Sequence, residues 1–222
     1  MAWYFEKPDS FSFRAGQFVE LQLLDPPETD SEGDSRTFSL ASAPSEQHLM
    51  VTSRLRDTAF KRVLAGLPLE STVSLEGPFG TLTIPEDASR SLVCIAGGIG
   101  ITPFRSMVIH AIQERRSHRI LMLYSNRRPE DAPFLEELQR FSQQNPHYRF
   151  VPTMTNAAAS TLPWSGETGR LNPDMLTKYV QHMEAPLYYV VGPPDMVQGM
   201  RTMLHSVGVN KSDIQTEEFA GY

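Results

Sequence analysis

Between Leu92 and Ala96 the chain runs through apolar residues without a break, then turns at once into Gly97-Gly98-Ile99-Gly100, with Thr102-Pro103 close behind. An uninterrupted apolar run bounded by glycine is the pattern of a strand buried on both faces of a parallel sheet. A proline just past the turn suits the first turn of a helix, where its missing amide hydrogen has no partner to lose. The segment therefore predicts a strand, a tight turn and a helix, with the glycines at the carboxyl edge of an open α/β sheet, where such sheets bind ligands. Unpaired amides and the helix dipole at that edge favour an anionic pyrophosphate. The spacing is neither GxGxxG nor that of a phosphate-binding P-loop, so a ligand-free turn competes with a binding site when the segment is taken alone. A second turn, Gly192-Pro193-Pro194, follows a later apolar strand and would share the same edge. Two such turns together favour a dinucleotide cleft.

The rest of the chain divides around this segment. From residue 89 onward, buried strands alternate with amphipathic helices. The strands are expected at Leu92 to Ala96, Ile120 to Ser125, Arg149 to Met154, Leu187 to Val191 and Ile214 to Phe219; the helices, each opening at a proline, at Pro103 to Arg115, Pro133 to Gln144, Pro173 to His182 and Pro194 to Val207. In the last helix Met196, Val197, Met200, Met203, Leu204 and Val207 recur at helical spacing and read as core. Residues 1–88 follow a different rhythm, with short alternating strands at Phe18 to Leu24, Arg36 to Leu40, Leu49 to Arg54 and Thr72 to Glu76. One short helix, Ala59 to Leu64, is capped by Asp57 or Thr58. The expected fold class is two-domain α+β: an antiparallel β-barrel over 1–88, then a Rossmann-like parallel α/β domain over 89–222. Trp3 to Lys7 looks like the tail of a first barrel strand, leaving one barrel edge short.

Composition narrows the function. The single cysteine, Cys94, excludes a four-cysteine cluster or an internal disulfide in these 222 residues. The histidines have no metal-ligand spacing and read as surface or packing residues. A net charge of −6 opposes nucleic-acid binding. No stretch approaches the roughly 20 apolar residues of a membrane span, so a cytoplasmic setting without membrane or nucleic-acid partners is the expectation.

Within the barrel, Arg36-Thr37-Phe38-Ser39-Leu40-Ala41-Ser42 puts a cation, an aromatic ring and hydroxyls on one strand. Taken in order, this segment, Gly77-Pro78-Phe79-Gly80, Ala96 to Pro103 and Gly192 to Met196 resemble the signature motifs of the ferredoxin–NADP(H) reductase superfamily, over nearly the whole chain. The resemblance implies a flavin-binding barrel, FAD ahead of FMN, followed by a nicotinamide-binding α/β domain. It implies that Arg36 pairs with a flavin phosphate, that Phe38 lies against the flavin where relatives have tyrosine, and that Ser39 bonds near flavin N5. Arginine, an aromatic face and a hydroxyl suit those tasks chemically. Thr37, Thr52, Thr58, Lys61, Gly77 and Gly80 are expected around the same cofactor. The usual glycine and serine of the diphosphate turn are absent at Thr58 to Lys61.

For the nicotinamide dinucleotide the resemblance implies Gly97, Gly98, Ile99, Gly100 and Thr102, with Gly192, Pro193, Pro194 and Met196 opposite. Ser125 at the end of the second strand, Asn126 and Arg127 after it, and Thr155 after the third are expected there too. Val191 stands where relatives often carry a cysteine. Arg127 and Arg128 could receive the extra phosphate of NADPH, yet Thr155-Asn156 lacks the usual arginine, so the balance tilts to NADH. The tail Glu217-Glu218-Phe219-Ala220-Gly221-Tyr222 resembles an acidic-aromatic terminus in which Phe219 or Tyr222 covers the flavin and Glu217 or Glu218 assists proton transfer.

The expected activity is that of a flavin-dependent NAD(P)H oxidoreductase. Hydride passes from nicotinamide to flavin N5, and electrons go on to a separate carrier protein such as ferredoxin or flavodoxin, with Ser39 and Glu217 as catalytic groups. The alternatives are a non-catalytic redox-sensing or binding module on the same scaffold, and the reductase subunit of a multicomponent oxygenase.

Overall fold

The computed structural model describes residues 1–219. Its N-terminal part is built from five antiparallel strands: β1 (Ala2–Glu6), β2 (Phe18–Leu23), β3 (Ser35–Ser39), β4 (His48–Thr52) and β5 (Val73–Phe79). They hydrogen-bond as two small sheets, β1-β4 and β3-β2-β5. Inward residues of both sheets, Val19, Leu21, Leu49 and Val51, share one core with Leu40, and Trp3 and Phe5 of the short edge strand β1 close it. Helix α1 (Ala59–Gly66) plugs that core with Phe60, Val63 and Leu64. Thr58 rather than Asp57 is its N-cap, its hydroxyl accepting from the Lys61 amide at 3.3 Å. The barrel thus takes the form of two sheets around one core. Its last strand runs three residues past the expected Glu76, to Phe79.

The second part is a six-stranded parallel sheet in the order β11-β10-β6-β7-β8-β9, comprising β6 (Leu92–Gly97), β7 (Ile120–Asn126), β8 (Tyr148–Met154), β9 (Glu167–Thr168), β10 (Leu187–Gly192) and β11 (Ile214–Glu218). The continuous apolar run of β6 has a simple cause: alternate residues serve opposite faces. Leu92, Cys94 and Ala96 join the core beneath α2 (Thr102–Gln113) and α3 (Leu135–Gln144). Val93 and Ile95 join the core beneath α4 (Pro173–Val180) and α5 (Pro194–Ser206). The first of these cores also takes in Ala15, Leu82 and Ile84 from the preceding segment.

Two expectations need correction, and one element was not foreseen. Pro133 does not open α3: Phe134 intervenes with φ 59°, and its ring lies under the Arg105 guanidinium at 5.1 Å, so the helix starts two residues late at Leu135. Val207 is exposed rather than core, because α5 ends at Ser206 and the chain turns away at Gly208. The two-residue strand β9 was not expected at all. Among the described residues no helix is long and apolar enough to cross a membrane.

Candidate functional site

The strand order changes direction at β6, with β7, β8 and β9 on one side and β10 and β11 on the other. Such a switch point leaves a crevice at the carboxyl ends of the strands. The two glycine turns meet there. A Cβ on Gly97 would stand 2.2 Å from Met196 Sδ and 3.1 Å from Pro193 Cδ. Gly97, Ser125–Asn126 and Gly192 end β6, β7 and β10, and Thr155 follows β8, its amide donating to Asn126 O at 2.8 Å. The expected dinucleotide residues therefore run along one sheet edge, with Pro194 at the start of α5.

The three glycines of the first turn have different physical reasons. Gly98 has φ +55°, in the left-handed region, and a Cβ there would lie 3.0 Å from Arg54 Nη2. Gly100 is a packing residue: its Cβ would be 2.4 Å from Val191 O, so no side chain fits between the turn and β10. The turn is pinned by Tyr124, buried on β7, whose hydroxyl reaches Gly98 O at 3.0 Å, and by Thr102, whose hydroxyl donates to Ile99 O at 3.1 Å.

Facing this turn is a cleft of about 670 Å³ between the two parts of the molecule. β3 contributes Arg36, Thr37, Phe38 and Ser39, and β4 contributes Thr52. The α1 entry gives Thr58 and Lys61, the glycine turn gives Ile99 and Thr102, and the end of β11 gives Glu217, Glu218 and Phe219. Residues expected from three distant stretches of sequence thus meet on one cavity. Gly80 sits at its margin, with a Cβ there 3.7 Å from Glu217 Oε1, while Gly77 packs on Val19 of the barrel. Tyr222 lies outside the described residues. Phe18, Glu32, Ser53 and Arg56 also line the cleft and were not expected.

Two polar features of this cavity call for a ligand. Ser39 is 6% exposed, and its hydroxyl and that of Thr52 are buried without a hydrogen-bond partner. A buried hydroxyl left unpaired costs stability unless something satisfies it. The second feature is a cluster of cations. Burial, and then the charges of Arg56 and Arg36, push the Lys61 ammonium below its ordinary pKa, so an incoming anion would relieve the crowding. Arg36 has partners within the protein. Its guanidinium lies 5.0 Å over the Phe60 ring and is paired with Asp30 at 2.6 Å and Glu32 at 3.0 Å. At the sheet edge Arg128 is likewise committed, to Asp131 at 2.8 Å and Glu130 at 3.6 Å, whereas Arg127 is exposed.

Of the two terminal glutamates, Glu217 is the partly buried one and Glu218 is exposed. Burial raises the Glu217 carboxyl from 4.5 to about 7. It therefore stands between its two protonation states at neutral pH.

A family model described as the oxidoreductase NAD-binding domain matches residues 94–202, the stretch that carries both glycine turns. The second reductase component of terephthalate 1,2-dioxygenase from Comamonas sp. is 25% identical over 94% of this chain and 60% of its own length. The glycine betaine monooxygenase reductase subunit of Chromohalobacter salexigens is 27% identical over 96% of this chain and 58% of its own. A solved ferredoxin–NADP⁺ reductase from Neisseria gonorrhoeae, with bound FAD and NADP, superposes with a TM-score of 0.79 at 24% identity, covering 98% of this chain and 91% of that one. The chain is thus similar to an oxidoreductase NAD-binding domain over residues 94–202 and shares the fold of a ferredoxin–NADP⁺ reductase over nearly its whole length. It spans about 60% of the length of the curated relatives it matches. The described cleft lies between the antiparallel part and the glycine-turn edge of the parallel sheet.

Proposed function

We propose that this protein is a flavin-dependent NAD(P)H oxidoreductase, with residues 1–88 holding the flavin and 89–222 the nicotinamide dinucleotide. The observation that carries the reading is the shared cleft: unpaired buried hydroxyls and a cation cluster on the barrel side face the glycine turn on the sheet side. A flavin bound there would supply the chemistry, taking two electrons from a reduced nicotinamide and releasing them to a carrier.

The chain's own groups bind, orient and move protons. Ser39 and Thr52 offer hydroxyls to the polar edge of a flat heterocycle, and Phe38 offers it an aromatic face. Arg36, Arg56 and Lys61 form the phosphate side. Gly97, Gly98 and the amides that follow accept a dinucleotide's pyrophosphate, with Gly192, Pro193 and Met196 opposite. Glu217, at about 7, donates or takes up a proton at the cleft wall. Phe219 shields the same wall. FAD is preferred over FMN. NADH is preferred over NADPH because the charge of Arg128 is already spent on two carboxylates.

The onward partner in this reading is a separate electron-carrier or oxygenase component, the role that the names of the relatives describe. The test is spectroscopic. The purified chain should be yellow, or become so on adding FAD, and should bleach anaerobically with NADH faster than with NADPH. A protein that neither retains nor takes up flavin would refute the proposal.

A further inference from the structure

The ion pairs of Arg36 raise a question that the flavin reading leaves open. Each nitrogen of this guanidinium already faces oxygen: Nη1 donates to the carbonyls of Glu32, Gly33 and Ser35, Nη2 donates to Asp30, and Nε lies 3.0 Å from the Glu32 carboxylate as an ion pair. A phosphate approaching the Nε side of this arginine would meet the Glu32 carboxylate already there.

The two carboxylates are not equivalent. Asp30 is 28% exposed, lies at 2.6 Å and also accepts the Glu32 amide, so it is built into the turn that positions Arg36. Glu32 is 72% exposed, lies at 3.0 Å and lines the cleft, whereas Asp30 does not. An exposed pair of this kind is held weakly and exchanges readily. We propose that the Glu32 carboxylate occupies the seat on Arg36 that the flavin phosphate takes, so that Glu32 is a built-in competitor setting how tightly the nucleotide is retained. The inference rests on the flavin assignment of this cleft.

The competitor acts through charge at one edge of one arginine, and two consequences follow. Removing its charge strengthens binding, the opposite of what losing a ligand contact would do. The effect reaches only flavins that carry phosphate.

Riboflavin, FMN and FAD titrated into the flavin-free 222-residue chain, read by quenching of flavin fluorescence, separate these points. Glu32→Gln should bind FMN and FAD about two- to fivefold more tightly than the unaltered chain, the fold-change expected from lifting an exposed ion pair. Riboflavin affinity should not change. In an Arg36→Gln background the Glu32→Gln gain should vanish, since the two residues act on the same phosphate. Unchanged or weakened FMN binding in Glu32→Gln would overturn the proposal, and so would an equal gain for riboflavin. Binding of none of the three flavins by the unaltered chain would instead remove the flavin assignment itself, and the competitor with it.

Discussion

Glu217 makes the cleft's electrostatics measurable through stability. Burial holds its carboxyl at about 7 in the folded chain instead of the ordinary 4.5, so between those values the folded protein keeps a proton that the unfolded chain has released. The sign follows: the proton-linked stability is complete below about pH 4.5, falls as pH rises through the window, and levels off above about pH 7. At about 1.4 kcal/mol per pH unit, the whole loss is on the order of 3 kcal/mol. Glutamine mimics the protonated acid and does not titrate, so Glu217→Gln should remove the loss. Urea unfolding of both proteins at pH 5 and pH 8 reads the difference directly, other titrating groups cancelling in the comparison. The advantage of Glu217→Gln over the unaltered chain should grow by about 2 to 3 kcal/mol between the two pH values. An advantage that stays constant, or shrinks, would show that Glu217 ionises like an exposed carboxylate and has no special protonation at neutral pH.

Other substitutions address the remaining parts of the site. Ser39→Ala removes a buried hydroxyl with no partner, so flavin-free stability should hold or rise by about 1 kcal/mol while flavin reduction by NADH slows in stopped flow; a loss of stability would mean the hydroxyl is already satisfied. Arg105→Met should destabilise by about 3 kcal/mol, because two carboxylates would lose a cation whose side chain is only 8% exposed, and thermal unfolding would register it. Gly100→Ala forces a methyl to 2.4 Å from Val191 O and should cost about 1 to 3 kcal/mol in chemical unfolding, identifying this glycine as a packing residue.

Much of the scaffold was legible because burial leaves a periodic trace. Strands β6, β7 and β10 are apolar runs, β8 and β11 mix polar with apolar residues, and the helices between them keep helical spacing, so their positions follow from the sequence to within a residue or two. Features set by turn geometry left no such trace. Phe134 adopts φ 59° beside the Arg105 guanidinium, and no propensity rule marks a phenylalanine for that conformation. β9 is two residues long and pairs only with the end of β8. In the cleft, the motif residues of β3 and the glycine turn could be named in advance because their chemistry is distinctive. Glu32 and Arg56 could not, since an acid and a base in polar loops look like any solvated surface. Arg36 shows the limit most clearly: its residue type pointed to a phosphate, but the folding of the 30–33 turn onto it, with Asp30 and Glu32, is a matter of three-dimensional contact.

The same kind of contact explains why motifs so far apart in the chain face each other at a fixed separation. Arg105 and Ser106, on the first turns of α2, bond across to the segment that follows β3: Arg105 Nη1 to Ala41 O at 2.7 Å and Ser106 Oγ to Ser42 O at 2.6 Å. Arg105 also reaches Glu46 of the barrel at 3.0 Å and Glu137 of α3 at 2.7 Å, so one buried guanidinium ties both parts of the molecule together. Thr102 lies one helical turn before Arg105, and Ser39 lies two residues before Ala41. The width of the cleft between Ser39 and the glycine turn is therefore bounded by a short path of covalent and hydrogen bonds, with no flexible linker in it. A donor and an acceptor held on opposite walls of that cleft would keep their spacing without a closing motion, because separating the walls requires Arg105 to surrender buried charge-assisted bonds.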